Sequence, residues 1–71
     1  YEELIRRLYE AISSLPPMQA RRVHARYMLG MKVKDIAAME GITPSQAGKS
    51  IHAALRRLRR YFARQKWTVN L

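Results

Sequence analysis

The stretch Val33-Lys34-Asp35-Ile36-Ala37-Ala38-Met39-Glu40-Gly41-Ile42-Thr43-Pro44-Ser45-Gln46-Ala47-Gly48-Lys49-Ser50-Ile51 decides how this chain folds. Its first part predicts a short helix over 33–40, with Ile36, Ala37 and Met39 facing inward and Asp35 in the first turn, near the positive end of the helix dipole. Gly41 ends that helix. Thr43-Pro44-Ser45-Gln46 is then a start signal: Thr43 can cap a new helix, Pro44 suits its first position, and Gln46 sits where a capping-box partner belongs. Two helices joined through Glu40-Gly41-Ile42-Thr43 form a helix-turn-helix, an arrangement whose second helix can enter a major groove. The residue types agree with it. Ala37 is small where the helices approach, Gly41 permits the sharp turn, Ile42 fills the hinge, and Ala47 with Ile51 pins the second helix to the first.

Working outward, Leu4, Ile5, Leu8, Ile12 and Leu15 recur at helical spacing and predict an amphipathic helix over 2–14, with Glu2, Glu3, Arg6, Arg7 and Glu10 on its other side. Ser13-Ser14-Leu15-Pro16-Pro17 breaks it, because proline disfavours helical geometry in the residue before it and is tolerated in a first turn. A second helix over 17–29 follows, carrying Val23, Tyr27 and Met28 toward a core and closed by Gly30. Downstream, Ala47, Ile51, Ala54, Leu55, Leu58 and Phe62 make the apolar stripe of a long fourth helix over 44–66. Phe62 is expected in the core, and Trp67 either there or against a protein partner. No strand pattern and no internal repeat is visible. The chain reads as a single domain over 1–71, and its start at Tyr1 instead of Met points to a domain excised from a longer chain.

Of 71 residues, 14 are Lys or Arg and 5 are Asp or Glu, a net charge of +9, while 48% are hydrophobic. A foldable chain with so strong a positive field points to a polyanion as partner. No cysteine is present, so neither a disulfide framework nor a thiolate metal site exists, in keeping with a cytoplasmic location. The apolar runs are too short for a membrane span or signal peptide. His24 and His52 are isolated, without the acids or thiols of a metal site or catalytic dyad. The chain is therefore read as a non-enzyme needing no cofactor and no metal. Arg56, Arg57, Arg59, Arg60, Arg64 and Lys66 crowd the end of the last helix, where cations are favoured by the dipole alone; about half are expected to serve a polyanion and the rest to be solvated surface.

From Leu15 to Arg59 the sequence resembles region 4 of the sigma-70 family of bacterial RNA polymerase sigma factors, including its extracytoplasmic-function branch. The resemblance rests on Leu15-Pro16-Pro17 with Gln19, Arg26-Tyr27, Gly30, Asp35-Ile36-Ala37, Gly41-Ile42-Thr43 and the run His52 through Arg59, in that order and spacing. It implies an all-α, four-helix domain of the winged-helix-like, sigma region 4 type without strands. It also implies a monomer that binds double-stranded promoter DNA and the β flap of RNA polymerase core, with an anti-sigma protein or other regulator as a further partner. Carried over by position, Pro44, Ser45, Gly48 and Lys49 face base edges, and Arg26, Lys32, Lys34 and His52 lie near phosphates. Thr43 and Arg56 join the phosphate set, and Leu58, Tyr61 and Phe62 are assigned to polymerase. On chemical grounds Lys49 can donate to guanine, Gln46 can pair with adenine if it reaches the groove, and Ser45 can contact base or phosphate.

Four departures bear on function. Gly48, Ser50 and Ala53 stand where the resemblance leads one to expect basic residues, and Lys32 replaces a capping serine. They motivate an alternative with the same fold: a sigma-like regulator of phage or mobile-element type that acts mainly through protein contacts. A basic amphipathic peptide lying on a membrane is a third reading, but it leaves the capped turn at Thr43 without a purpose.

Overall fold

The computed structural model describes residues 1–65. Lys66 and Trp67, on which the expected end of the last helix and a possible aromatic closure depended, lie outside the described residues. Regular structure among the described residues is entirely helical, in the order α1 (Glu2–Ser13), α2 (Pro17–Val23) continued by one π-helical turn (His24–Met28), α3 (Val33–Glu40) and α4 (Pro44–Arg64). Helices α1 and α2 meet at the Ser14-Leu15-Pro16 corner. Pro16 adopts the extended conformation that caps α2, and Pro17 occupies its first position.

The expected second helix over 17–29 is corrected to an α segment that widens into a π turn. Leu29 N–H donates to the His24 carbonyl five residues back, and Met31 N–H reaches the Ala25 carbonyl across left-handed Gly30. In a π turn the hydrogen bond spans five residues and each residue advances less around the axis, which brings the residue at i+5 round toward the side of residue i. Met28 therefore packs beneath Val23 on the core, and Tyr27, expected inward, is 55% exposed.

The main core gathers Ala11, Ile12 and Leu15 from the end of α1 and its corner, Val23 from α2, and Ala54, Leu58 and Phe62 from the second half of α4. Ile36, Ala37, Ala47 and Ile51 are buried at the α3–α4 corner. Two further inward expectations fail. Met39 is 76% exposed, and Leu4 lies at the margin of α1's apolar face, 39% exposed. Ala11, too small to register in the apolar pattern of α1, is fully enclosed where that helix meets the core. On the outer side of α1, Glu3 pairs with Arg6 and Arg7, and Glu10 with Arg6; all four side chains are substantially exposed, so these pairs add little stability.

Candidate nucleic-acid interface

The α3–α4 corner is built by two different devices, one for each helix end. At the end of α3, Gly41 takes φ 68°, and Ile42 N–H donates to the Ala37 carbonyl while Gly41 N–H donates to that of Ala38. This is a Schellman closure, in which a left-handed residue lets the chain turn back and satisfy the last carbonyls. At the start of α4 the capping box is complete. Gln46 N–H donates to Thr43 Oγ1 at 3.1 Å, and Thr43 N–H donates to Gln46 Oε1 at 2.9 Å. The two helices are thus separate rods joined by a short, fully bonded turn, and the first turn of α4 is fixed before any partner arrives.

That first turn faces outward. Thr43, Pro44, Ser45, Gln46 and Lys49 are exposed and Gly48 is half-buried, while Ala47 and Ile51 point into the molecule. At 3.6 residues per turn Ser45, Lys49, His52 and Arg56 share one face of α4, opposite Ala47, Ile51, Ala54 and Leu58. His52 and Arg56 are likewise exposed. Helix α4 contains six Lys or Arg and no acid, and three of the chain's five acids lie in α1. The remaining two acids, Asp35 and Glu40, lie in α3, so the exposed face of α4 that begins at the open turn carries positive charge only.

The remaining expected phosphate contacts occupy varied environments. Lys32 and Lys34 are exposed at the start of α3, where Lys32 holds the cap position without a side-chain cap bond. Arg26 is half-buried; its Nη1 donates to the Met31 carbonyl at 3.1 Å and its guanidinium lies 5.7 Å from the centre of the Tyr27 ring. It closes the turn before α3, with part of its surface left to solvent. Gln46 has its acceptor oxygen committed to the cap, so bidentate pairing with adenine would require it to give up Thr43. Among the described residues no group of three or more His, Asp or Glu side chains gathers as a metal site would require.

Sequence reasoning missed the most enclosed polar group at this corner. Arg22 of α2 donates through Nε and Nη2 to the carboxylate of Glu40 at 2.7–3.1 Å, and through Nη1 to Ser50 Oγ at 2.8 Å. The Arg22 and Glu40 side chains are only 14% and 15% exposed. The guanidinium holds the Glu40 carboxyl below its ordinary value through hydrogen bonding, against a smaller opposing effect of burial. Ser50, which stands where the resemblance leads one to expect a basic residue, is part of the scaffold. No local signal reveals this: the three residues are 18 and 28 positions apart in the chain.

The residues assigned to polymerase need correcting. Leu58 and Phe62 are core residues, 1% and 3% exposed, and cannot present a side chain to a partner; Tyr61 is half-buried, its ring edge-on to Phe62 at 5.5 Å. Leu58 does form part of the wall of an open apolar groove of about 320 Å³ between α1, the π turn and α4, together with Leu8, Ile12, Met28 and Leu55. Tyr27 stands at the same groove. Among the described residues no helix is long and apolar enough to cross a membrane. Residues 5–58, most of the chain, match the family described as Sigma-70, region 4. Comparison with curated proteins and with solved structures gives no match.

Proposed function

This chain belongs to the sigma-70 region 4 family, a family of DNA-binding domains, and from that premise we propose that it recognises an upstream promoter element in double-stranded DNA while contacting RNA polymerase. The observation that carries the reading is the outward, pre-capped first turn of α4, a helix that carries six basic residues and no acid. Pro44, Ser45, Gly48 and Lys49 meet base edges in the major groove, with Lys49 donating to guanine and Gln46 offering its amide N–H to a base or phosphate. Thr43, Lys32, Lys34, Arg26, His52 and Arg56 line the phosphates on either side, and the positive N-terminal end of α4 adds to that attraction. The polymerase contact, through its β flap, uses the apolar groove beside Leu58 and the exposed Tyr27, with Tyr61 at the far side of α4. An anti-sigma protein or other regulator would compete for the same surfaces. The protein acts as a monomer in the cytoplasm, without catalysis and without a cofactor.

In vitro selection from random duplexes, run with and without RNA polymerase core, tests this. A shared sequence preference that sharpens when polymerase is present is expected; random binding in both arms contradicts the reading.

A second reading keeps the fold and moves the emphasis to protein contact, as in a phage or mobile-element regulator. Two observations favour it: Ser50 is spent on Arg22, and Gly48 has no side chain, so few side chains remain to read bases. It predicts tight polymerase binding with weak DNA binding that changes little with salt, whereas phosphate neutralisation makes affinity fall steeply as salt rises.

A further inference from the structure

The turn between α3 and α4 is three residues long, and Arg22 holds both of its sides. Its fork binds Glu40, the last residue of α3, and its remaining terminal nitrogen binds Ser50 in the second turn of α4. The fully buried apolar residues at this corner are Ile36, Ala37, Ala47 and Ile51, two of them alanines, with Val33 and Ile42 half-buried, whereas the larger side chains Leu58 and Phe62 lie further along α4 against α1 and α2. Alanines offer few atoms to interlock, so they do little to fix the rotation of one helix against the other, because dispersion attraction grows with the number of atoms in contact.

An ion pair enclosed in this way is an inefficient way to add stability: desolvation cancels much of the attraction, and apolar residues of similar volume often serve as well. What a planar guanidinium adds is direction, since its donors have a fixed geometry and it is bound to two partners at once. We propose that Arg22 is a positioning residue for the reading helix: by bracing Glu40 and Ser50 across the turn it sets how Thr43 to Lys49 project, so that discrimination among DNA sequences depends on a side chain whose bonds are all made inside the protein. The proposal rests on the reading of that turn as the DNA-reading element. Base recognition tolerates displacements of only about 0.5 Å, so a small loss of angle is enough to matter.

The test compares the wild-type chain with Arg22→Met/Glu40→Leu, which removes both charges together so that neither is left unpaired, and with Ser50→Ala, which removes only the α4 side of the brace. Each is measured for melting temperature, for affinity to the duplex selected by the wild type and to a scrambled duplex, and for amide exchange from Ala47 to Ile51. The double variant is expected to fold, to bind scrambled DNA as the wild type does, and to lose about tenfold in preference for the selected duplex, equivalent to roughly one base contact. Its Ala47–Ile51 amides should exchange several-fold faster, to be read against those of Ala54–Leu58. A folded double variant with wild-type preference overturns the proposal. If the double variant does not fold, Ser50→Ala decides: an unchanged melting temperature with reduced preference supports the brace, and unchanged preference overturns it. If the wild type itself prefers no sequence, the DNA-reading assignment fails separately, and the exchange rates still judge the brace, with unchanged rates counting against it.

Discussion

At the scale of single residues, Gly48 and Glu40 show how the same corner can be read for stability and for function. An added Cβ at Gly48 meets nothing within 4 Å, and its φ is not in the left-handed region, so alanine fits. Because glycine inside a helix costs about 0.5–1 kcal/mol relative to alanine, Gly48→Ala should raise stability by about that amount in thermal or urea unfolding. If the DNA backbone or a base edge approaches this position closely, the same variant will bind the selected duplex more weakly despite being more stable; opposite signs in the two assays are the expected result. Glu40 gives a prediction in pH. Its carboxyl is held below its ordinary value of 4.5 in the fold, so its contribution is fully present above that pH and is lost as pH falls through the lower folded value. The gap in melting temperature between wild type and Glu40→Gln should therefore be widest near neutrality and shrink as pH falls below 4.5 and through the lower folded value. A gap that widens on acidification would show that the Arg22 pairing is not what holds this carboxylate.

At the scale of elements, the helix-turn-helix was legible because its signals are local. Val33–Glu40 forms as the apolar pattern predicts, Gly41 is left-handed, and Thr43 with Gln46 makes the reciprocal cap their types and spacing imply. The first and last helices are read correctly to within a residue or two, at Glu2–Ser13 and Pro44–Arg64. The π turn was not legible, since one extra residue per turn alters periodicity too briefly to stand out, and it is what brings Met28 round to the core. The exposure of Met39 was equally hidden: an eight-residue helix offers two turns, and its inward face is already filled by Ile36 and Ala37. Two substitutions separate Gln46's role as a cap from any role at the groove. Thr43→Ala should cost about 1 kcal/mol, lowering the melting temperature by roughly 4–8 °C. Gln46→Glu should keep the capping box and gain slightly from the helix dipole, yet bind DNA more weakly because a carboxylate then faces the phosphates. Unchanged DNA affinity in Gln46→Glu would remove this residue from the interface.

At the scale of the whole molecule, charge and chain path work together. The net charge of +9 was plain in the sequence, but its placement needed the fold: α1 carries three of the five acids and pairs Glu3 and Glu10 with its own arginines, and α4 carries none. The surface proposed for polymerase was the least legible part, because an apolar stripe on a helix does not say which members stay uncovered, and Leu58 and Phe62 were consumed by the core. If Arg26, Lys32, Lys34 and Arg56 neutralise phosphates, the logarithm of affinity should fall against the logarithm of salt with a slope of about −3 to −5, and Lys34→Ala should reduce its magnitude by about one. DNA is proposed to touch the first turn of α4 above all other surfaces. An amide NMR titration with the duplex recovered by selection tests this most directly. Shifts centred on Thr43 through Lys49 and extending along His52 and Arg56, with α1 unmoved, are expected. Shifts confined to α1 or the apolar groove, with Thr43 through Lys49 unchanged at saturation, would contradict the proposal.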